Sequence, residues 1–202
     1  METEFGRLIE SRRSYYRMKK ESPISDQAIE EIIKHAVKYS PTAYNSQQTR
    51  AVLLLSGAHE KFWSITMDAI RRVTGKTLEE LLPTNRKIDS FKAGYGTVLF
   101  YNDTSVTKKF EQEYPAYKNN FENWAEQSNA MLQFSVWNML EEAGFAAALQ
   151  HYNPIVDTDV RHEWNIDKHW KLIAQMPFGM PIEEPGAQEF NPIDERFRLI
   201  ET

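Results

Sequence analysis

The chain has no cysteine among its 202 residues. That removes disulfides, thiolate nucleophiles, redox CxxC pairs and cysteine-bearing zinc sites together. Redox chemistry in such a protein has to run on a bound cofactor. There is no excess of basic charge either: 24 Lys and Arg against 29 Asp and Glu leave a net charge of −5. A broad grip on nucleic acid needs a basic face, so that class is not expected. No stretch approaches the roughly 20 apolar residues of a membrane span. Met1 to Lys20 alternates charged and apolar groups where a signal peptide would carry an apolar run. The expectation is a cytoplasmic protein that works on neither a membrane nor a nucleic acid. Several familiar signatures are also missing. Gly94-Tyr95-Gly96 lacks the third glycine of a dinucleotide fingerprint, and there is no Walker A sequence. Asp157-Thr158-Asp159 lacks the rest of a calcium loop, and His162 and His169 are not spaced as a zinc helix requires, so no metal site is expected.

What is present is enough to fold. Hydrophobic residues make up 41% and aromatics 12% of the chain, which excludes a disordered polymer and fits one domain over residues 1–202. A helix is predicted over residues 3–11. A second follows Ser25 as N-cap, with Ile29, Ile32, Ile33, Ala36 and Val37 as its stripe, and Pro41 stops it. Thr49 to Leu55 has the length of a strand, ended by Ser56-Gly57. A helix with Phe62, Ile65, Ala69, Ile70 and Val73 on its buried face comes next, then a strand from Thr97 to Tyr101. Glu122 to Ala143 is apolar over most of its circumference, which predicts a central helix packed on all sides and stopped by Gly144. A strand from Trp170 to Met176 and a weaker one from Asp194 to Ile200 complete the reading. Helices outnumber strands without regular alternation, so the class is α+β.

Four separated segments carry chemistry. Arg12-Arg13-Ser14 lies just past a helix end. There its charges either offset the helix dipole or grip an anion, since the planar guanidinium fork matches phosphate oxygens in pairs. Arg196 and Arg198 share one face if the tail is extended, as a solvated edge or as a second anion grip. Ser40 to Gln47 reads as a polar turn-rich loop, and Gln150-His151-Tyr152 as a segment whose lone His is either structural or functional.

In order, spacing and residue type these segments resemble the FMN-dependent nitroreductase family, notably its short fatty-acid-repression-type and copper-induced members. The likeness runs over nearly the whole chain. The loop keeps Pro41, Asn45, Ser46 and Gln47 of the family's pattern and departs from it at Thr42, Ala43 and Gln48. The resemblance implies a central mixed sheet flanked by helices, with the C-terminal segment completing the partner's sheet in a homodimer. It implies FMN as cofactor, NADH or NADPH as donor, and nitroaromatics or quinones as small-molecule acceptors. Electrons would pass through flavin N5 in a ping-pong cycle with no catalytic side chain required. By the same resemblance Arg12, Arg13 and Ser14 hold the phosphate and ribityl chain, and Arg196 and Arg198 complete the phosphate clamp. Tyr16 or Arg17 meets the N1–O2 edge. Pro41, Thr42, Ala43, Asn45 and Gln47 reach the flavin held mainly by the other subunit. Gln150, His151 and Tyr152 lie beside N5 and O4, largely through backbone N–H groups. A non-catalytic flavin-binding or regulatory protein of the same fold is the alternative, because fold does not by itself guarantee turnover.

Overall fold

Local signals set the opening elements. Thr3 caps helix α1 (Glu4–Ser11) by accepting from the Gly6 N–H at 3.0 Å. Ser25 caps α2 (Asp26–Tyr39) by accepting from the Ala28 N–H at 3.2 Å. Between them lies the short strand β1 (Met18–Lys19). The computed structural model describes residues 3–201; Met1, Glu2 and Thr202, at the ends of the expected domain, lie outside the described residues. Strand β2 (Thr49–Leu55) runs straight into α3 (Ser56–Thr74), so Ser56-Gly57 begins a helix instead of a break. Then follow α4 (Leu82–Lys92), β3 (Gly96–Asp103), α5 (Thr104–Glu113), the long α6 (Phe121–Glu142), β4 (Ala146–Ala147), α7 (Asp157–Trp164) and β5 (Trp170–Pro181). Helices α4, α5 and α7 carried no sequence expectation, because each is short and has few apolar residues to set a period. Among the described residues, no helix is long and apolar enough to cross a membrane.

The strands form one sheet in the order β1-β5-β3-β2, with β4 also paired to β5. All of these strand pairings are antiparallel, and a parallel bridge between Ser14 and Ala147 adds the N-terminal segment beside β4. β3 is buried along its whole length because helices cover both faces. Its alternating side chains feed two cores: Val98 and Phe100 join α2 and α6, while Leu99 and Tyr101 join α3, α4 and α7. The α+β architecture with a helix-flanked sheet agrees with the sequence reading.

The turn after α6 delivers the next segment into the sheet. Gly144 sits at φ +89°, the Phe145 N–H donates to the Leu140 carbonyl at 2.9 Å and the Gly144 N–H to Glu141 at 2.9 Å. That is the Schellman pattern, and its hydrophobic C″ residue is the buried Phe145.

Three further expectations need correction. α6 is not packed all round: Met131 and Phe134, near its middle, are exposed, because the side facing α1 and α2 opens on a groove. Val73 is exposed in the last turn of α3, beyond the layer it was assigned to, and Trp63, His59 and Met67 are buried instead. Residues 194–200 form no strand. A 3-10 turn (Ile193–Glu195) leads into an irregular exposed tail that joins no strand of the sheet among the described residues.

Candidate functional site

Helix α1 ends at Arg12, whose N–H still bonds the Leu8 carbonyl at 3.1 Å. The chain then runs alongside β4, with the Tyr15 N–H donating to the Ala147 carbonyl at 3.0 Å. The sheet therefore brings Arg12 to Arg17 next to the stretch that leads into Gln150, His151 and Tyr152, although the two lie far apart in sequence. A cleft of about 600 Å³ opens here, lined by Arg12 to Arg17 and by Glu183 to Gln188. The second wall is held by polar contacts. Arg13 donates from Nη2 to the Gly186 carbonyl at 2.7 Å, the Tyr15 hydroxyl to Glu184 at 3.0 Å, and Arg17 from Nη1 to Glu183 at 3.0 Å.

Arg12 differs from its neighbours. Its guanidinium lies over the Trp137 ring of α6, 4.4 Å from the centroid. Among the described residues it has neither a hydrogen bond to an acceptor nor an ion pair within 4 Å, so its donors are unspent. Ser14, beside it, likewise makes no side-chain hydrogen bond among the described residues. Burial pushes the half-buried Glu141 carboxyl up, against the opposing charge of Arg12. Tyr15 is pushed up to about 12, first by burial, then by its bond to Glu184 and the carboxylate of Glu141. The Tyr15 hydroxyl therefore stays protonated near neutral pH and can donate to Glu184. Tyr16 and Arg17 both line the cleft; Arg17 is engaged with Glu183, whereas the exposed Tyr16 leans toward Phe91 at 6.2 Å.

The third motif is tied to β5. Gln150 and Gln175 exchange backbone hydrogen bonds at 2.7 and 2.9 Å, and the Gln175 side chain accepts from the Tyr152 N–H at 2.7 Å. Tyr152 is half-buried, its ring 5.9 Å from Trp63 in edge-on geometry, and burial raises its hydroxyl pKa. His151 is exposed.

Gln150, His151 and Tyr152 are not among the residues that line the cleft, and the other two motifs stay apart from it within one chain. Residues Ala43–Asn45 make a 3-10 turn against the N-terminal part of α6, where the Ala43 N–H meets the Ser128 hydroxyl at 3.4 Å. The Thr42 hydroxyl is spent on the Gln47 N–H at 3.0 Å, closing the turn. Asn45 and Gln47 are exposed, both at positive φ, and Pro41 lines the groove between α1, α2 and α6. Arg196 and Arg198 are exposed in the irregular tail and do not line the cleft. Since the tail is not a strand, the shared face expected of this pair is not formed, and the clamp from both chain ends is not assembled in a single chain.

Comparison with known proteins adds to this geometry. The family model described as the nitroreductase family matches residues 9–180. The chain belongs to the nitroreductase family. HBN1 of Saccharomyces cerevisiae is 31% identical over 186 residues, 91% of each chain. Nitroreductase FRM2 of the same yeast is 29% identical over 184 residues, 90% of each. Nitroreductase CinD from Lactococcus lactis, solved in complex with nicotinic acid, superposes with a TM-score of 0.90 at 35% identity, covering 98% of this chain and 100% of CinD. CinD has also been solved with 4-nitrophenol, at TM-score 0.89 and 34% identity. The fold is therefore nitroreductase-like, and the family supports an oxidoreductase function.

Four residues of this nitroreductase site were not singled out from sequence. Tyr15 was passed over between two polar candidates, although it closes the wall through Glu184. Glu183 and Glu184 stand in a Pro- and Glu-rich stretch that carries no periodic signal. Gln175 sits inside an apolar strand, and a lone amide in such a run is the one local oddity that could have marked it.

Proposed function

We propose that this nitroreductase is a cytoplasmic FMN-dependent NAD(P)H oxidoreductase, built as one domain and active as a homodimer, that reduces nitroaromatic or quinone acceptors. The observation that carries the reading is the unspent guanidinium of Arg12, with the Ser14 hydroxyl beside it at a cleft of about 600 Å³. A phosphate monoester supplies the paired acceptor oxygens that such a group lacks here. The family typically binds FMN, which has such a phosphate. When bound, FMN supplies a two-electron carrier that takes a hydride from the pyridine nucleotide and delivers electrons to the acceptor. The chain's residues bind and orient. Arg12 and Ser14 hold the phosphate end, Arg13 and Tyr15 keep the opposite wall in place, and the Gln150 to Tyr152 segment borders the ring. Tyr16 or Arg17 meets the ring's polar edge. The 4-nitrophenol complex of CinD supports a nitroaromatic acceptor.

Geometry also supports the dimer. The turn at Tyr44 packs against Trp124, while Arg12 stacks on Trp137 of the same helix. Those two positions are about 20 Å apart along α6 at 1.5 Å per residue. A two-fold axis crossing α6 near its exposed Met131 and Phe134 would put the loop of one copy beside the Arg12 cleft of the other. Pro41, Thr42, Ala43, Asn45 and Gln47 would then wall the partner's flavin. Arg196 and Arg198 would complete the phosphate site once the tail docks.

The test is the visible spectrum of the purified protein, followed by FMN titration of the apoprotein. Flavin absorption is expected, bleached by NADH or NADPH without oxygen and restored by an added nitroaromatic. Arg12→Ala should cost about 1.5–3 kcal/mol of FMN affinity, roughly ten- to a hundredfold in Kd. A protein that takes up no FMN overturns the reading; one that binds FMN but never oxidises NAD(P)H is a flavin carrier instead.

A further inference from the structure

We propose that Gln175 is a positioning residue that locks the 150–153 segment and leaves the His151 N–H, among the backbone donors of Gln150, His151 and Tyr152, as the one open toward the cofactor. The proposal rests on the flavin reading above for the identity of that cofactor. Gln175 is fully buried in β5, opposite Leu99 of β3. An amide in a buried strand is costly unless its donor and acceptor are both engaged. Here both are. Its Oε1 accepts from the Tyr152 N–H at 2.7 Å, and its Nε2 donates to the Asn153 Oδ1 at 3.2 Å. Its backbone exchanges two further bonds with Gln150, at 2.7 and 2.9 Å. One residue therefore holds Gln150, Tyr152 and Asn153.

The consequence is selective. Gln150 and Tyr152 have their N–H groups committed to Gln175, one to its backbone and one to its side chain. The His151 N–H between them has no partner among the described residues, and His151 is exposed. Of the backbone donors at Gln150, His151 and Tyr152, only the middle one is left to meet a hydrogen-bond acceptor on a ligand. An apolar residue of similar size would fill the same space in the core but leave the Tyr152 N–H unsatisfied and free to turn.

The experiment compares wild type, Gln175→Leu and Gln175→Glu by amide hydrogen exchange without flavin and by FMN titration. Gln175→Leu should speed exchange at Tyr152 by about tenfold or more and raise the FMN Kd by about tenfold, with altered flavin visible bands. Gln175→Glu keeps the acceptor, and the Asn153 amide can turn to donate to it, so protection and Kd should recover to within about threefold of wild type. Asn153→Ala, at a less buried position, should move both readouts in the same direction as Gln175→Leu, and it decides the matter if Gln175→Leu does not fold. Wild-type exchange and wild-type FMN Kd in a folded Gln175→Leu or Asn153→Ala variant overturn the proposal. Absence of FMN binding in the wild type instead overturns the flavin reading and the cofactor-facing half with it. The exchange rates alone then decide whether Gln175 locks the segment.

Discussion

His59 shows how a buried polar side chain can be fully spent. It lies in α3, fully buried, with Nε2 3.1 Å from the Lys92 carbonyl and Nδ1 2.8 Å from the Thr97 hydroxyl. A carbonyl only accepts, so Nε2 must carry the proton and Nδ1 must accept from Thr97. Thr97 in turn accepts from the Trp63 indole N–H at 3.0 Å. Burial pushes the imidazole pKa down to about 4. In the unfolded chain it titrates near 6.5, so between these values the unfolded state binds more protons. The contribution of His59 is therefore intact above about pH 6.5, declines as pH falls toward about 4 and is flat below that. The gap corresponds to about 3 kcal/mol. Urea unfolding at pH 7 and pH 4.5 should show this loss in the wild type, and a smaller one in His59→Gln. Equal losses in the two proteins would assign the acid sensitivity to carboxylates. From sequence, His59 looked like any polar residue on a helix; the chain of donors that neutralises it exists only once α3 meets β3.

At the scale of elements, β5 does most of the organising. An irregularity opposite Phe100 and Tyr101 gives β5 one extra residue, Ile173, so Leu172 and Ala174 face different cores despite their spacing. Further along, Gly179 sits where β1, β5 and the Gly94 turn converge. A Cβ there would meet the Lys19 carbonyl oxygen at 2.7 Å, the Tyr95 nitrogen at 3.0 Å and the Gly94 Cα at 3.1 Å. All three are backbone atoms that cannot swing aside. Gly179→Ala should lower stability by about 1–3 kcal/mol, read as a lower Tm. Gly57→Ala, in the first turn of α3 with nothing within 4 Å, is the control and should be neutral or stabilising. A Gly179→Ala variant that melts with the wild type would mean the convergence is looser than described. The strand run of β5 was legible in its sequence as far as Met176. Its last part was not, because Pro, Gly and Met there pair with elements that only the fold supplies.

Across the whole molecule, two features carry several exposed apolar groups each. The tail carries Phe197, Leu199 and Ile200, between 65% and 79% exposed, and the α1–α2–α6 groove holds about 680 Å³ with Phe5 and Phe134 at its sides. This exposed apolar surface belongs to the interface of the proposed homodimer. On the homodimer reading, Phe134→Glu puts a charge at the two-fold and should shift sedimentation toward monomer, with loss of flavin. Deleting residues 194–202 should weaken both dimer and flavin retention, because it removes Arg196 and Arg198 as well as the apolar anchors. An active, flavin-bound monomer of either variant at low concentration would overturn the composite site.

Covalent order was enough where the local signal is strong. The cap at Ser25, the stop at Gly144, the apolar stripe of α2 and the run of β3 are choices made by residues within a few positions of each other, and propensity acts at that range. The absence of cysteine likewise acts through composition alone. Tertiary structure decided what depends on distant partners. It left Arg12 with unspent donors while Arg13 and Arg17 were engaged by the 183–188 segment. It turned an amide in an apolar strand into the anchor of the 150–153 segment, and it left residues 194–200 unpaired with the sheet among the described residues. Backbone polar groups and charges settle only when their acceptors arrive, and those acceptors lie far along the chain.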